Sequence, residues 1–403
     1  MSGERLSSNL SGSGARAGVV QIGIVGLGAA ARPFIPAILA HPGFKLAAVA
    51  ESDADVRASV IAEHGIPGYA TIDAMLEHAG LEAVYIATPT ELHADHVALA
   101  CAAGKHVLVE KPMATSLEQA RVMIACAERA GVMLLVGHSH SYDLPIQQMR
   151  AIIAGGSLGR VCMVNSWYYT DWIYRPRRPE ELDAAKGGGV TYRQGSHQFD
   201  IIRLLCGGRA KSVRARTFDW DPGRRAIGAH TVFVDFEDGA AATAVYNGYG
   251  HFSTRELGFD MSEWGYPTPP ESRKPPQRGM AESSPQDELR AKQLRARNAI
   301  PGSAPFQPFF GLTLVSCERG DIRQSPGGLY VYSDQGRAEI TLKTDRSPHR
   351  LVIAEFYDAL KAGRPALHDG RWGLANLEVC TAAIASSASG RDVILTEQVS
   401  VPA

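Results

Sequence analysis

The stretch VVQIGIVGLGAAARPFIPAIL, Val19 to Leu39, decides the fold of the N-terminal half. An apolar run from Val19 to Val25 has the length of a buried β-strand, and an amphipathic helix is predicted after it. Between them stand Gly26, Gly28 and Ala31, in the spacing G-x-G-x-x-A. In a dinucleotide-binding turn the first glycine permits the tight turn, the second lets the backbone approach the pyrophosphate, and the alanine allows close packing of helix on strand. Alone this spacing is a weak signal, so its context decides.

A second predicted strand, Lys45 to Ala50, supplies that context because it ends in Glu51. At this place an acidic side chain accepts hydrogen bonds from the adenosine ribose and repels a 2′-phosphate. The sequence therefore predicts NAD and not NADP, with the pyrophosphate at the N-terminus of the helix that follows the glycines. The alternative is that Glu51 only caps the helix that begins near Asp53.

Composition limits the classes of protein to consider. A chain of 403 residues is too long for one ordinary core and suits two domains. Hydrophobic content of 45% and a formal net charge of -1 indicate a soluble protein with no electrostatic reason to bind nucleic acid or a membrane. Six cysteines without CxxC spacing indicate reduced thiols, a cytoplasmic location and no metal site. A small-molecule substrate is the expected partner.

The order of predicted elements gives the domain organisation. Strands and helices alternate up to about residue 140, which predicts a parallel, doubly wound sheet with its ligand at the C-terminal strand ends. Later strand-like segments with hairpin links predict antiparallel neighbours. We therefore expect a disordered leader at residues 1–17, a NAD-binding domain at 18–140 and an α+β domain for substrate binding and oligomerisation at 141–403. Residues 262–308, rich in proline and charge, are predicted to be a lid, an interface arm or disordered, and too polar for core.

Two predicted strand ends carry polar residues. One reads Ala87-Thr88-Pro89-Thr90, with His93 opening the next helix, and the other reads Val109-Glu110-Lys111-Pro112. Because ligands bind at these ends of a parallel sheet, the side chains are functional candidates. The proposed cofactor contacts are Thr88, Pro89, His93 and Glu110, and Lys111 is a candidate for the reaction itself.

A third candidate segment is GGGVTYRQGSHQFD, Gly187 to Asp200. Glycines permit close approach of the backbone to a ligand. His197 and Asp200 are three residues apart, so on a helix they share a face. Such a pair is also common at the start of an ordinary helix, and the cofactor site upstream favours the functional interpretation.

The segments GLGAAA, ATPTELH, AGKHVLVEKPMA and GGGVTYRQGSHQFD together resemble the Gfo/Idh/MocA family of glucose–fructose oxidoreductases and inositol dehydrogenases, over nearly the whole chain after the leader. The resemblance implies an α/β N-terminal Rossmann domain and an α+β C-terminal domain with a large open, mostly antiparallel sheet, and we expect a homo-oligomer. It also implies that Lys111 and His197 face the substrate beside the nicotinamide of NAD. Asp200 would orient His197, or equally would only stabilise its helix.

The sequence departs from the family pattern near His197. Many relatives that act on sugars and cyclitols have aspartate four residues before the histidine, whereas here Arg193 offers a planar fork that suits a carboxylate. The run from Trp172 to Arg178 adds Tyr174, Arg177 and Arg178 as substrate candidates. A run of this kind is also typical of a solvated surface loop. Together with Arg193 it indicates an anionic, ring-shaped substrate.

The segments TDWIYRPRRPEELD, PFFGLTLVSCERGDIRQSP and HDGRWGLANLEVC are similar to one branch of the family, the dehydrogenases of carboxylated aromatic cis-dihydrodiols of the phthalate 4,5-cis-dihydrodiol type. The resemblance implies NAD-dependent oxidation to a catechol, in which Lys111 stabilises charge on the reacting oxygen and His197 takes its proton. Two alternatives stay open. One is a sugar-acid or cyclitol dehydrogenase of the same family, and the other is an inactive NAD-sensing binding protein.

Overall fold

The computed structural model describes residues 18–270, 284–298, 304–344 and 347–402. The predicted leader at residues 1–17 and parts of the predicted insertion at 262–308 lie outside the described residues. Within the described ranges, no helix is both long and apolar enough to span a bilayer.

The N-terminal half forms a six-stranded parallel sheet in the order β3-β2-β1-β4-β5-β6. This is the strand order of a doubly wound dinucleotide-binding fold, so the predicted Rossmann domain is confirmed. Its strands are β1 (Val20–Val25), β2 (Phe44–Ala50), β3 (Gly68–Tyr69), β4 (Ala83–Ile86), β5 (His106–Val109) and β6 (Leu134–Val136), and its helices are α1 (Phe34–Leu39), α2 (Ala54–His64), α3 (Ile72–Leu76), α4 (His93–Ala102) and α5 (Leu117–Ala130).

The chain then builds a nine-stranded open sheet in the order β14-β13-β12-β11-β7-β10-β9-β8-β15. Only β7 and β10 pair in parallel, which confirms the predicted mostly antiparallel sheet. The strands are β7 (Val161–Tyr169), β8 (Ala210–Phe218), β9 (Ala229–Phe236), β10 (Ala241–Asn247), β11 (Leu312–Cys317), β12 (Gly320–Ser325), β13 (Gly328–Ser333), β14 (Gly336–Thr341) and β15 (Val393–Ile394), and the helices are α6 (Leu144–Ala154), α7 (Pro179–Leu182), α8 (Gly189–Arg193), α9 (Gly195–Leu205), α10 (Pro285–Asn298), α11 (Pro348–Ala362) and α12 (Gly370–Ser389).

The last two helices hold the two sheets together. Phe356 of α11 is buried in the same apolar cluster as Phe34 of α1 and Phe44 of β2. In α12, a side chain added at Gly373 would meet Val136 of β6 at 2.4 Å, so helix and strand approach closely. The C-terminal segment therefore fixes the N-terminal sheet relative to the large sheet, and the cleft between them has a defined width.

The described part of residues 262–308 corrects the expectation that this segment is too polar for core. Glu288 of α10 is buried in an ion pair with Arg224. Gln307 is also buried, and its Nε2 donates to the carbonyl oxygens of Leu342 and Lys343 at 3.0 and 3.1 Å. Paired polar groups can be buried without a large penalty, and composition alone does not reveal such pairing.

Candidate active site

The cleft between the two sheets, with a volume of about 1340 Å³, contains most of the predicted site residues. The parallel strands point their C-terminal ends at it, as expected for this fold. Of the predicted residues, those that line it are Gly26, Gly28, Glu51, Thr88, Pro89, Glu110, Lys111, Arg177, Arg178, Arg193 and His197. Ala31, His93, Tyr174 and Asp200 do not line it.

The glycine turn fits a bound dinucleotide. Gly26 has φ +85°, and a Cβ there would lie 2.9 Å from the Ala87 carbonyl oxygen, whereas a Cβ at Gly28 would meet nothing within 4 Å. Ala31 is buried beneath the turn, as its predicted packing role requires. The expected helix N-terminus is corrected, because the chain makes turns from Gly28 to Pro33 and α1 begins only at Phe34. These turns would face the pyrophosphate in place of the helix.

Glu51 lies at the end of β2 on the cleft wall. Its Oε2 accepts a hydrogen bond from the Leu27 N–H at 2.7 Å, and its Oε1 accepts one from the Asp53 N–H at 3.0 Å. The cap of α2 is Asp53 itself, whose carboxylate accepts from two backbone N–H groups of the first turn. The alternative that Glu51 caps this helix is therefore wrong, and its carboxylate is fixed beside the glycine turn.

His93 was predicted to contact the cofactor, but it is buried behind the cleft wall and not exposed on it. Its Nε2 lies 3.0 Å from the Thr88 carbonyl oxygen, and its Nδ1 lies 3.1 Å from that of Pro112. Burial lowers the pKa of His93 to about 4, so the ring is neutral. It joins the loops after β4 and β5 and supports Thr88 and Lys111 from behind. The residue that reaches the cleft is His96, one turn later, with Nδ1 3.0 Å from Thr88 Oγ1.

Lys111 brings an amine to the end of β5. Its Nζ donates to the Arg193 carbonyl oxygen at 3.1 Å, which joins the two halves of the site. Burial lowers the pKa of Lys111 to about 8, although Glu110 opposes the shift. Burial also raises the pKa of Glu110, whose Oε1 accepts from the Tyr85 hydroxyl at 2.6 Å. Lys111 is thus a cation near neutral pH that gives up its proton more readily than an exposed lysine.

His197 lies on α9, where its ring contacts other rings. The ring centroid is 4.6 Å from that of His140 and 5.0 Å from that of Phe310, both edge to face. Burial lowers the pKa of His197 well below its usual value, and the charge of Lys111 adds to the effect. Its imidazole is therefore neutral at neutral pH and able to accept a proton. We therefore expect a kinetic pKa from this group to lie below the ordinary histidine value.

Asp200 does not contact His197, which contradicts the prediction that it orients the imidazole. Its Oδ1 accepts from Trp372 Nε1 at 2.7 Å and lies 3.4 Å from His368 Nε2. Burial raises the pKa of Asp200, but His138 and His368 outweigh burial and lower the pKa overall. His197 Nδ1, for its part, has no hydrogen-bond partner among the described residues. Helical spacing put both residues on one side of α9, yet Asp200 points toward α12.

Asp200 belongs to a buried group that we call the His368 junction: Ser141, Tyr142, Asp200, Glu355, His368 and Trp372. His368 is its centre, with Nε2 2.9 Å from Ser141 Oγ and Nδ1 3.2 Å from Glu355 Oε2. The Tyr142 hydroxyl donates to Glu355. Burial lowers the pKa of His368, but Asp200 and Glu355 outweigh burial and raise it to about 9. The junction therefore holds an imidazolium between two carboxylates.

The arginines of the run after Trp172 line the cleft, so the surface-loop alternative is wrong. Arg175 pairs with Asp171 at 2.8 Å, Arg178 lies 3.4 Å from Glu91, and the Arg177 guanidinium stacks 4.2 Å above the Trp172 ring. Tyr174 was predicted to contact the substrate, but it is buried away from the cleft, and its hydroxyl donates to Asp221 at 2.5 Å.

Arg193 differs from Arg175 and Arg178, which lie beside carboxylates. Its Nε and Nη2 are buried and have no hydrogen-bond partner among the described residues. Glu181, which exerts an attractive charge effect on it, is itself bonded to Lys292 at 2.5 Å. Burial lowers the pKa of Arg193, but a guanidinium stays charged in proteins. Buried donors without acceptors are costly, so this side chain is poised for an anion.

Aromatic side chains that sequence reasoning missed form one wall of the cleft. His140 and Phe310 stack with ring centroids 4.2 Å apart, and Trp264 stacks on His349 at 5.8 Å. All four line the cleft. The segment PFFG was noted only for its resemblance to one branch of the family, and Trp264 lies in the segment predicted to be too polar for core. No periodic pattern in the sequence marks rings that come together from separate segments of the chain.

Two comparisons identify the domains. Residues 20–138 match the oxidoreductase family with an NAD-binding Rossmann fold, and residues 146–257 match the GFO/IDH/MocA C-terminal domain. The 1-carboxy-3-chloro-3,4-dihydroxycyclohexa-1,5-diene dehydrogenase of Comamonas testosteroni is 36% identical over 90% of this chain and 94% of its own length. The rhizopine catabolism protein MocA of Rhizobium meliloti is 33% identical over 49% of this chain and 60% of its own length.

Solved structures agree with this fold. One from Bordetella bronchiseptica RB50 has 41% identity and a TM-score of 0.83, covering 93% of this chain and 100% of that one. An oxidoreductase from Agrobacterium radiobacter, solved with NAD⁺, L-tartaric acid and magnesium, has 20% identity and a TM-score of 0.70, covering 93% of this chain and 98% of that one. At that identity the likeness shows the fold alone. NAD is the cofactor of this chain, and the glycine turn and Glu51 fit it.

We predict that two alanine substitutions in the glycine turn affect different properties, one the stability and the other the binding of NAD⁺. Gly26→Ala forces a left-handed backbone and a clash with Ala87, so it should lower stability by about 1–3 kcal/mol. Gly28→Ala meets nothing in the protein, so it should leave the melting temperature unchanged while its methyl group obstructs the cofactor and weakens NAD⁺ binding about tenfold. Thermal melts and NAD⁺ titration test both, and equal loss of stability would contradict the assignment.

The His368 junction predicts a pH-dependent stability. The folded-state pKa of His368, about 9, exceeds its ordinary value of 6.5, so its stabilising effect is complete below about pH 6.5 and is lost as pH rises through about 9. His368→Gln should lower the melting temperature strongly at pH 6 and much less at pH 9. A difference between the two proteins that stays constant across this range would refute the charged junction.

Proposed function

The chain belongs to the GFO/IDH/MocA family of NAD-binding oxidoreductases, and we propose that this dehydrogenase oxidises a carboxylated aromatic cis-dihydrodiol to the corresponding catechol. The observation that carries the proposal is Arg193. Its buried Nε and Nη2 lack acceptors among the described residues, and its own carbonyl oxygen holds Lys111 Nζ at 3.1 Å. An anion bound by this guanidinium is thus close to the amine that would meet the reacting hydroxyl.

A carboxylate supplies what Arg193 lacks. Two oxygens of one carboxylate match the fork of a guanidinium, and the bonds are strengthened by charge. A neutral polyol offers hydroxyl groups but no charge, so its hydrogen bonds to the buried guanidinium would be weaker. Two other cleft arginines, Arg175 and Arg178, lie beside Asp171 and Glu91 and are less available for this task. We therefore infer one principal carboxylate contact.

The aromatic wall favours a flat ring. The rings of His140, Phe310 and His197 contact each other at one side of the cleft, next to Lys111 and Arg193. A cyclohexadiene presents two unsaturated, apolar faces that pack well against such rings. The relative from Comamonas testosteroni, whose name describes a carboxylated dihydroxycyclohexadiene, supports the same class. Its chlorine and the positions of its substituents are properties of that protein's substrate.

The proposed mechanism assigns one proton transfer and one charge contact to the protein. Lys111 Nζ donates to the hydroxyl oxygen that reacts and stabilises the negative charge that develops there. The neutral imidazole of His197 takes the hydroxyl proton. NAD⁺, which the glycine turn and Glu51 would hold, would supply the hydride acceptor for the ring carbon that bears this hydroxyl. The resulting hydroxy-ketone loses the proton of its remaining sp³ ring carbon to become a catechol, and aromatisation draws the reaction forward.

We further propose that the enzyme acts as a cytoplasmic homo-oligomer. The position of the carboxylate, as in the phthalate 4,5-cis-dihydrodiol type or otherwise, is for a substrate panel to decide. Such a panel includes aromatic cis-dihydrodiols with and without a carboxylate, uronates and inositols. If only uronates support NADH formation, the proposal is wrong and the enzyme is a sugar-acid dehydrogenase. Arg193 would bind the carboxylate of a uronate equally well.

Arg193→Gln should raise KM for a carboxylated cis-dihydrodiol by about tenfold or more, because charge-assisted bonds contribute roughly 1.5–3 kcal/mol. KM for the matched dihydrodiol without the carboxylate should change little, and so should affinity for NAD⁺. Arg178→Gln is the control, since that arginine lines the same cleft but already lies near Glu91. Equal effects of Arg193→Gln on both substrates would show that Arg193 does not bind the carboxylate.

Lys111→Ala should lower kcat by about 10²–10³ while NAD⁺ still binds, as removal of a preorganised donor does. The pH profile of the wild-type enzyme should show the ionisation of Lys111. Since the pKa of Lys111 is about 8, kcat/KM should fall as pH rises through about 8, and the limb from His197 should lie below pH 6.5. An upper limb that persists in Lys111→Ala would assign it to another group.

A further inference from the structure

Helix α10 is held against the substrate side of the cleft by a buried ion pair. Arg224 Nη1 and Nη2 contact Glu288 Oε1 and Oε2 at 2.5 and 2.7 Å, and both residues are buried. The backbone N–H of Arg177 donates to the same carboxylate at 2.7 Å. Glu288 thus fastens α10 to the segment that carries the cleft arginines.

A second ion pair follows one turn later on the same face of the helix. Lys292 Nζ lies 2.5 Å from Glu181 Oε2, and that oxygen also accepts from the Arg178 N–H at 2.9 Å. Apolar contacts hold the helix less firmly, since Leu289 is 39% exposed and Leu294 is 61% exposed. Among the described side chains of α10, charge pairs are therefore the main attachment.

The next residue, Gln293, lies near the cofactor side of the cleft. It lines the main cleft, and it also lines a small pocket of about 60 Å³ together with Gly28, Glu51 and Asp53. Those residues are the glycine turn and the end of β2, where the dinucleotide-binding fold holds the pyrophosphate and the adenosine ribose. Helix α10 therefore reaches from the substrate domain to the cofactor loops.

We propose that α10 is a latch over the bound dinucleotide, and that Gln293 on this latch is a further cofactor-binding residue. A carboxamide both donates and accepts hydrogen bonds, so it can serve a ribose hydroxyl or a phosphate oxygen. Glu288 and Lys292 hold the latch closed, and cofactor exchange requires their ion pairs to part. The inference rests on NAD binding and is independent of which substrate is oxidised.

The test measures cofactor exchange alone. NADH is preloaded on the full-length enzyme and displaced by excess NAD⁺, with loss of NADH fluorescence followed by stopped flow. Glu288→Gln should raise the NADH dissociation rate by about tenfold or more, because it leaves Arg224 without its charged partner. Gln293→Ala should raise the Kd for NADH by about three- to tenfold while the two ion pairs remain.

Arg290→Gln is the matched control. It lies on the same helix, its side chain is 81% exposed, and its Nη1 is 4.0 Å from Oδ1 of the exposed Asp287. This variant should release and bind NADH as the wild type does. Unchanged NADH dissociation and Kd in both latch variants would overturn the proposal, as would the same change in Arg290→Gln.

If Glu288→Gln does not fold, Gln293→Ala decides alone, and an unchanged Kd then overturns the proposal. Because no substrate is present, this outcome leaves the role of Arg193 untouched.

Discussion

The imidazolium of His368, held between the carboxylates of Asp200 and Glu355, is the interaction on which the active site depends. Its partners come from α9, α11 and the loop after β6, and Trp372 of α12 closes the group. Each charge would be expensive to bury alone, and each is acceptable because the others are present. Such a group has one satisfactory arrangement, so it fixes the position of α9. His197 extends from that same helix, so the junction also fixes the position of this side chain in the cleft.

The cleft shows how charge must be counted in a site. Arginine and lysine side chains crowd one end, but Arg175, Arg178 and Lys292 lie beside acidic partners. Arg193 instead has two buried donors, Nε and Nη2, without an acceptor in the part of the chain that the structure describes. The pairing pattern, and not the number of basic residues, indicates the charge of the ligand.

Sequence reasoning reached the fold and the residues whose place is set by the fold. Lys111 follows a parallel strand, and Arg193 and His197 follow a glycine turn, so their approach to the cleft follows from topology. His93, Tyr174 and Asp200 were chosen by residue type and spacing. Spacing predicts which side of a helix or strand a residue occupies, but it does not predict which residues that side contacts. The wall of His140, Trp264, Phe310 and His349 could not be predicted, because its rings come from segments far apart in the chain. Strand β12 was missed because its sequence, GDIRQS, is polar.

Arg193 makes its two contacts with different parts of the same residue. The side chain offers its donors to a ligand, whereas the main-chain carbonyl anchors the amine of Lys111. Every amino acid carries that carbonyl, so replacing the side chain leaves the anchor chemically available. Substrate preference and reaction chemistry are thus encoded separately at one position. A lineage with this architecture can exchange an acidic ligand for a neutral one through a single codon while the reacting amine stays where it is.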